Sequence, residues 1–192
     1  MSGKGQVGRR GLAAELEAML APRFSGVRVE VASNPRWDRP GIGVTWAGFA
    51  GLLPEERFQR IMSVIPTRYF DQHLRGYVWL ELAEGEEVDD FLALPRSEDV
   101  AGRESAIYAR LNQVHAFELL GKALGASPER NCAGNFARLT KVLSKRHISE
   151  QDICEAKLAF IRCGCYCDCQ ALRSGREALA RFQVKKAKRR SG

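Results

Sequence analysis

The 192-residue sequence contains no apolar run approaching the roughly 20 residues that a helix needs to cross a bilayer. Its first ten residues carry Lys4, Arg9 and Arg10, but Glu15 and Glu17 interrupt the apolar stretch over residues 12–20. No secretory leader is therefore expected, and the chain reads as a cytoplasmic protein with no membrane partner. Histidine is scarce, with three residues in the whole chain (His73, His115 and His147). There is no H-E-x-x-H pair, nucleophile elbow, P-loop or glycine-rich dinucleotide motif. The acidic run of Glu81, Glu84, Glu86, Glu87, Asp89 and Asp90 has no histidine beside it, so it reads as a solvated connection and not as acid–base machinery. These absences lean against an enzyme without excluding one, because catalytic groups can assemble from distant positions.

A surplus of positive charge is present, but not where a nucleic-acid surface would need it. The net charge is +7, and residues 173–192 supply eight bases against the single acid Glu177. The chain before them sums to zero, which argues against a broad phosphate-binding face. The basic tail could still touch nucleic acid or acidic partners without sequence preference. Arg36, Trp37 and Arg39 form a basic loop with one aromatic ring, and stacking of a base on that ring is the nucleic-acid alternative.

Hydrophobic periodicity gives the coarse organisation. Leu12, Leu16, Met19 and Leu20 have helical spacing; Val27, Val29 and Val31, then Ile42, Val44 and Trp46, alternate as half-buried strands. Pro54 followed by Glu55 and Glu56 starts a helix carrying Phe58, Ile61, Met62 and Ile65, with a short helix after Pro66 and a third strand over residues 77–82. Ser97 begins a helix expected to run to about Leu124, and two further helices are expected around Leu139 and Ile153, the second capped by Ser149. Residues 165–172 read as extended. The expected divisions are a disordered lead over 1–10, an α+β domain over 11–94, a helical cysteine-containing domain over 95–172 and a basic tail over 173–192.

Residues 48–52, Gly-Phe-Ala-Gly-Leu, precede the helix, and Gly76-Tyr77-Val78-Trp79-Leu80 forms the last strand. With the order α-β-β-α-α-β over residues 11–82, this resembles the BolA family, small relatives of KH-type α+β domains. The resemblance implies a BolA/KH-like fold. That family holds an iron–sulfur cluster with a glutaredoxin through histidines, whose places here are taken by Phe58 and Val78. Gly48-Phe49-Ala50-Gly51 also fits the G-x-x-G string with which KH domains clamp an RNA backbone.

Six cysteines in a chain without a leader suggest metal binding or redox chemistry more than structural disulfides. Cys163, Cys165, Cys167 and Cys169 alternate, so an extended segment would turn them to one face. Thiolate is a strong zinc ligand, and structural zinc takes four ligands. One strand cannot easily wrap a tetrahedron, so Cys132, in a loop before a helix, is the expected remote ligand. Cys132 with Gly164-Cys165-Tyr166-Cys167-Asp168-Cys169 is similar to domain-of-unknown-function family 2695, which ends in a comparable Cys-Asp-Cys motif. That resemblance implies Cys132, Cys167 and Cys169 as the principal ligands. Its usual histidine two residues after the first cysteine is Gly134 here, and Cys165 could replace it. Cys154 reads as a helix residue outside the site and Cys163 as a helix-end thiol, and the sequence leaves open whether Cys163 or His147 is a ligand.

The expected architecture is α+β: an α-β-β-α-α-β (BolA/KH-like) domain, then a mainly helical domain ending in a Cys-rich C-terminal strand. The expected function is a non-enzymatic zinc-binding adaptor for an unknown protein partner, with zinc held by Cys132, Cys165, Cys167 and Cys169. A thiol redox or iron–sulfur carrier is the alternative, and an RNA or single-strand binding module is the third reading.

Overall fold

The computed structural model describes residues 9–33 and 39–182. The chain is a mixed α and β structure that divides into two compact units, Met1–Pro95 and Arg96–Gly192. No helix among the described residues is long and apolar enough to cross a membrane.

The first unit begins with α1 (Arg9–Leu20), whose Leu12, Leu16 and Leu20 recur every four residues and are all buried. They cover a three-stranded sheet of β1 (Arg28–Ser33), β2 (Pro40–Thr45) and β3 (Val78–Leu82), in that order. β1 and β2 are antiparallel, with Val29 opposite Val44 and Val31 opposite Ile42. β2 and β3 are parallel, with Ile42 opposite Trp79. Parallel strands need a crossover. Here it is α2 (Pro54–Met62), then α3 (Thr67–Tyr69) running into a wide turn over Phe70–Leu74. Phe24, Phe49, Ile61, Ile65 and Leu74 close the core. α4 (Val88–Ala93) follows β3.

Two details of this unit bear on function. Residues 47–49 form a single 3-10 turn that buries Phe49, and the Trp46 ring lies over Gly48 so closely that a Cβ there would sit 2.3 Å from it. Gly48 is thus tied to packing, with Trp46 also edge-on to Phe24 at 4.8 Å, while Gly51 takes a left-handed φ of 71°. Arg57 on α2 is 2% exposed. Its guanidinium donates to the Leu52 carbonyl at 2.9 Å, to the Glu81 carbonyl at 2.7 Å and to both carboxylate oxygens of Glu86. The acidic connection is therefore partly an internal clamp. The Arg57 hydrogen bonds, with the Ala83 N–H, outweigh burial and hold the Glu86 carboxyl below its ordinary value.

The second unit contains α5 (Glu104–Gln113), α6 (Ala116–Leu124), α7 (Ala137–Ser144), α8 (Glu150–Arg162) and α9 (Asp168–Gln170). α9 continues through a wide turn over Ala171–Gly175 into helical residues 176–182. Phe160 on α8 is the hub, edge-on to Phe117 and stacked on Phe136, each at 6.1 Å. Ser149 caps α8, its hydroxyl accepting the Asp152 N–H at 3.2 Å.

Two expectations are corrected here. The single helix expected from Ser97 to about Leu124 is a 3-10 turn over Ser97–Val100 followed by α5 and α6. The breaks fall at Gly102, with φ 81°, and at His115, whose φ of 55° is left-handed and ends α5. The Cys-rich C-terminal strand is not a strand. Gly164, with φ 75°, closes α8 in a Schellman arrangement: Cys165 N–H donates to the Phe160 carbonyl at 3.0 Å and Gly164 N–H to the Ile161 carbonyl at 2.8 Å. Four residues after Gly164, Asp168 starts α9, so the alternating cysteines straddle one helix end and the next helix start.

Candidate metal centre

Three cysteines meet in the second unit. Cys132 sits in the loop between α6 and α7; Cys167 immediately precedes α9, and Cys169 lies within it. Their sulfurs all lie within 4.8 Å of one another, and Cys167 Sγ is 3.4 Å from Cys169 Sγ. Sulfurs bound tetrahedrally to one zinc at about 2.3 Å lie about 3.8 Å apart, so the observed spacing needs only small side-chain adjustment to accept the ion.

A spacing of two residues converges here for a reason unrelated to strand alternation. Cys167 is extended, with φ −160° and ψ 168°, whereas Cys169 is already helical. The change of backbone state between them turns both side chains toward Cys132. The partner segment also has anchors of its own. Asn131 Nδ2 donates to the Leu124 carbonyl at 2.7 Å, while Arg138 donates to the Asn131 carbonyl at 3.2 Å and the Ala123 carbonyl at 3.0 Å.

Asp168, the residue between the two cysteines, ties the segments together. Its carboxylate is wholly buried and accepts the Leu139 N–H at 2.9 Å and the Arg138 N–H at 3.0 Å. These are amides of the first turn of α7, which a carboxylate satisfies and whose dipole it complements. The Asp168 N–H in turn donates to the Asn135 carbonyl at 3.0 Å. The sequence reading treated Asp168 only as part of a motif. An acid standing between two cysteines, with no base beside it, was the available signal.

The three thiols are electrostatically unlike. Burial pushes Cys132 up, but the N–H groups of Cys169 and Gly134 and the thiols of Cys169 and Cys167 outweigh it and bring Cys132 below the ordinary thiol value. Burial pushes Cys167 up to about 12, aided by the neighbouring Cys169 and Cys132. Burial and Cys132 also raise Cys169. Cys132 is therefore the most readily ionised of the three, and a divalent cation would bind the set by displacing the thiol protons.

Cys165 is not brought into this group. It is 1% exposed, and its sulfur lies 3.6 Å from the Gln170 carbonyl and 3.5 Å from the Ser174 hydroxyl. Cys163, half-buried at the end of α8, is pushed up to about 11 by burial and by Cys165 and Glu104. Cys154 lies on α8, and the exposed His147 lies in the turn before it. Neither belongs to the cluster found among the described residues. Of the basic-loop residues, Arg39 is exposed just before β2, while Arg36 and Trp37 lie outside the described residues. Within the basic tail, Arg173 pairs with Glu129 at 2.5 Å and Arg176 with Glu118 at 3.5 Å; residues 183–192 lie outside the described residues.

No family model, curated protein or solved structure matches the chain.

Proposed function

We propose that Cys132, Cys167 and Cys169 bind a zinc ion, and that the protein is a non-enzymatic adaptor or interaction protein whose second unit the metal orders. The observation carrying this reading is the convergence of three sulfurs from two segments remote in sequence within 4.8 Å. An all-thiol donor set selects soft or borderline metals such as zinc over magnesium or calcium. Because the ligands come from both ends of the segment that contains α7 and α8, metal binding links residues 132 and 167–169 and adds directly to the folding free energy of that unit.

The first unit is read as a BolA/KH-like module supplying an interaction surface. Phe58 stands where that family carries a histidine, and it packs against Phe70 and Trp79 with ring centroids 6.5 and 6.0 Å apart. Chelation tests the zinc reading. Hydrogen exchange over residues 125–172 should accelerate when a strong chelator is added and recover with zinc; exchange unchanged by chelator would contradict it.

A second reading, a thiol redox or iron–sulfur carrier, draws support from the 3.4 Å separation of Cys167 and Cys169 sulfurs beside the thiolate-favouring Cys132. Iron with acid-labile sulfide in the purified protein, or a reversible disulfide by thiol titration, would favour it over zinc.

A further inference from the structure

We propose that the fourth coordination position of this metal is filled by a small exogenous thiol bearing a carboxylate, held in the groove beside Cys169; the proposal rests on the zinc reading above. Zinc takes four ligands, and sites with three protein ligands keep the fourth for water or an incoming molecule. Among the described residues no fourth histidine, cysteine, aspartate or glutamate joins the three sulfurs. Cys165, the nearest candidate in sequence, is turned away against Ser174 and Gln170.

A groove of about 510 Å3 adjoins the cluster, with Cys169 in its wall. Its size lies within the range of small-molecule sites, about 300–1,000 Å3. Pro128 and Leu172 give it an apolar side, and Arg130 and Arg173 set two positive charges there against the one negative charge of Glu129. Arg173 is engaged with Glu129. Arg130 is exposed, with no ion-pair partner among the described residues, and can take a carboxylate. The ligand chemistry follows from the two ends of the site. Three thiolates keep the metal soft enough to favour a fourth sulfur, and the arginine favours an anionic group a few atoms away. The step is ligand exchange without redox change: the metal–sulfur bond forms, the metal–water bond breaks, and the thiol proton goes to solvent.

Full-length protein loaded with cobalt(II) tests this, because cobalt reports sulfur ligation by its visible and charge-transfer bands. Titration with 3-mercaptopropionate should raise the sulfur charge-transfer intensity to saturation at one equivalent. 2-Mercaptoethanol, which lacks the carboxylate, should do so about fivefold more weakly, and propionate should not. Arg130→Ala should weaken 3-mercaptopropionate about fivefold and leave 2-mercaptoethanol unchanged. Cobalt bound with a spectrum that no thiol alters would overturn the proposal while leaving the metal site standing. Equal binding of the two thiols, unaffected by Arg130→Ala, would overturn the role of the groove. Failure to bind cobalt at all would overturn the zinc reading itself.

Discussion

Asp168→Ala should destabilise the second unit more than its small change in side-chain volume suggests. The carboxylate is wholly buried and accepts two backbone N–H groups at 2.9 and 3.0 Å. A hydrogen bond to a charged group contributes about 1.5–3 kcal/mol, and an unsatisfied buried donor costs about 1–3 kcal/mol. The Leu139 amide is buried while that of Arg138 is part-buried and open to a replacement water, so the sum is held to about 3 kcal/mol. For a domain of this size that corresponds to a melting shift on the order of 15 °C. Asp168→Asn keeps one acceptor oxygen and should cost about 1–2 kcal/mol. Urea unfolding with an amide-exchange readout of residues 137–144 measures both. Because Asp168 also fixes where Cys167 and Cys169 meet Cys132, cobalt affinity should fall in the same order. An alanine variant within about 0.5 kcal/mol of the parent, the scatter of ordinary surface substitutions, would refute the argument that this carboxylate ties the two segments.

Four other outcomes are expected. Arg57→Ala should cost about 3–5 kcal/mol in the first unit, measured by chemical unfolding, because it leaves Glu86 without its counter-charge and two carbonyls without their donor. Since Glu86 titrates below its ordinary 4.5, the stability that pair contributes is present above that pH and should be lost as pH falls through the lowered value. Tyr69 donates to Glu15 at 2.6 Å, and burial, that bond and the Glu15 charge raise it to about 12 from 10.0. Its contribution is therefore complete below pH 10 and lost as pH rises through about 12; ultraviolet titration should show one late tyrosine that Glu15→Gln moves back toward 10. Metal affinity should fall about a hundredfold for each unit by which pH is lowered wherever Cys132 is already ionised, because Cys167 and Cys169 must each lose a proton; a cobalt titration series across pH showing no dependence would exclude thiolate ligation.

The sheet was legible because its signal is local. Val29 and Val31, and Ile42 and Val44, alternate at the strand period and meet across β1 and β2. α1, α2 and the Ser149 cap were legible for the same reason, through Leu12, Leu16 and Leu20, through Pro54 and through one hydroxyl. The break at His115 was not, since neither glycine nor proline marks it and a left-handed histidine leaves no trace in composition. Alternation misled at the cysteines. Four thiols two residues apart suggest one strand face, but the positive φ of Gly164 and the buried Asp168 impose a helix end and a helix start. The pairing of Cys132 with Cys167 and Cys169 entered as a resemblance. The placement of Cys165 beside Gly175, where an added Cβ would lie 3.4 Å from its sulfur, is a tertiary contact that no local pattern encodes.

Metal content across single cysteine variants tests the central claim most directly. Purified full-length protein should contain about one zinc per chain. Cys132→Ser, Cys167→Ser and Cys169→Ser should each lose it, whereas Cys154→Ser, Cys163→Ser and Cys165→Ser should retain it. Metal-free parent protein, or zinc that survives all three cluster substitutions, would contradict the account.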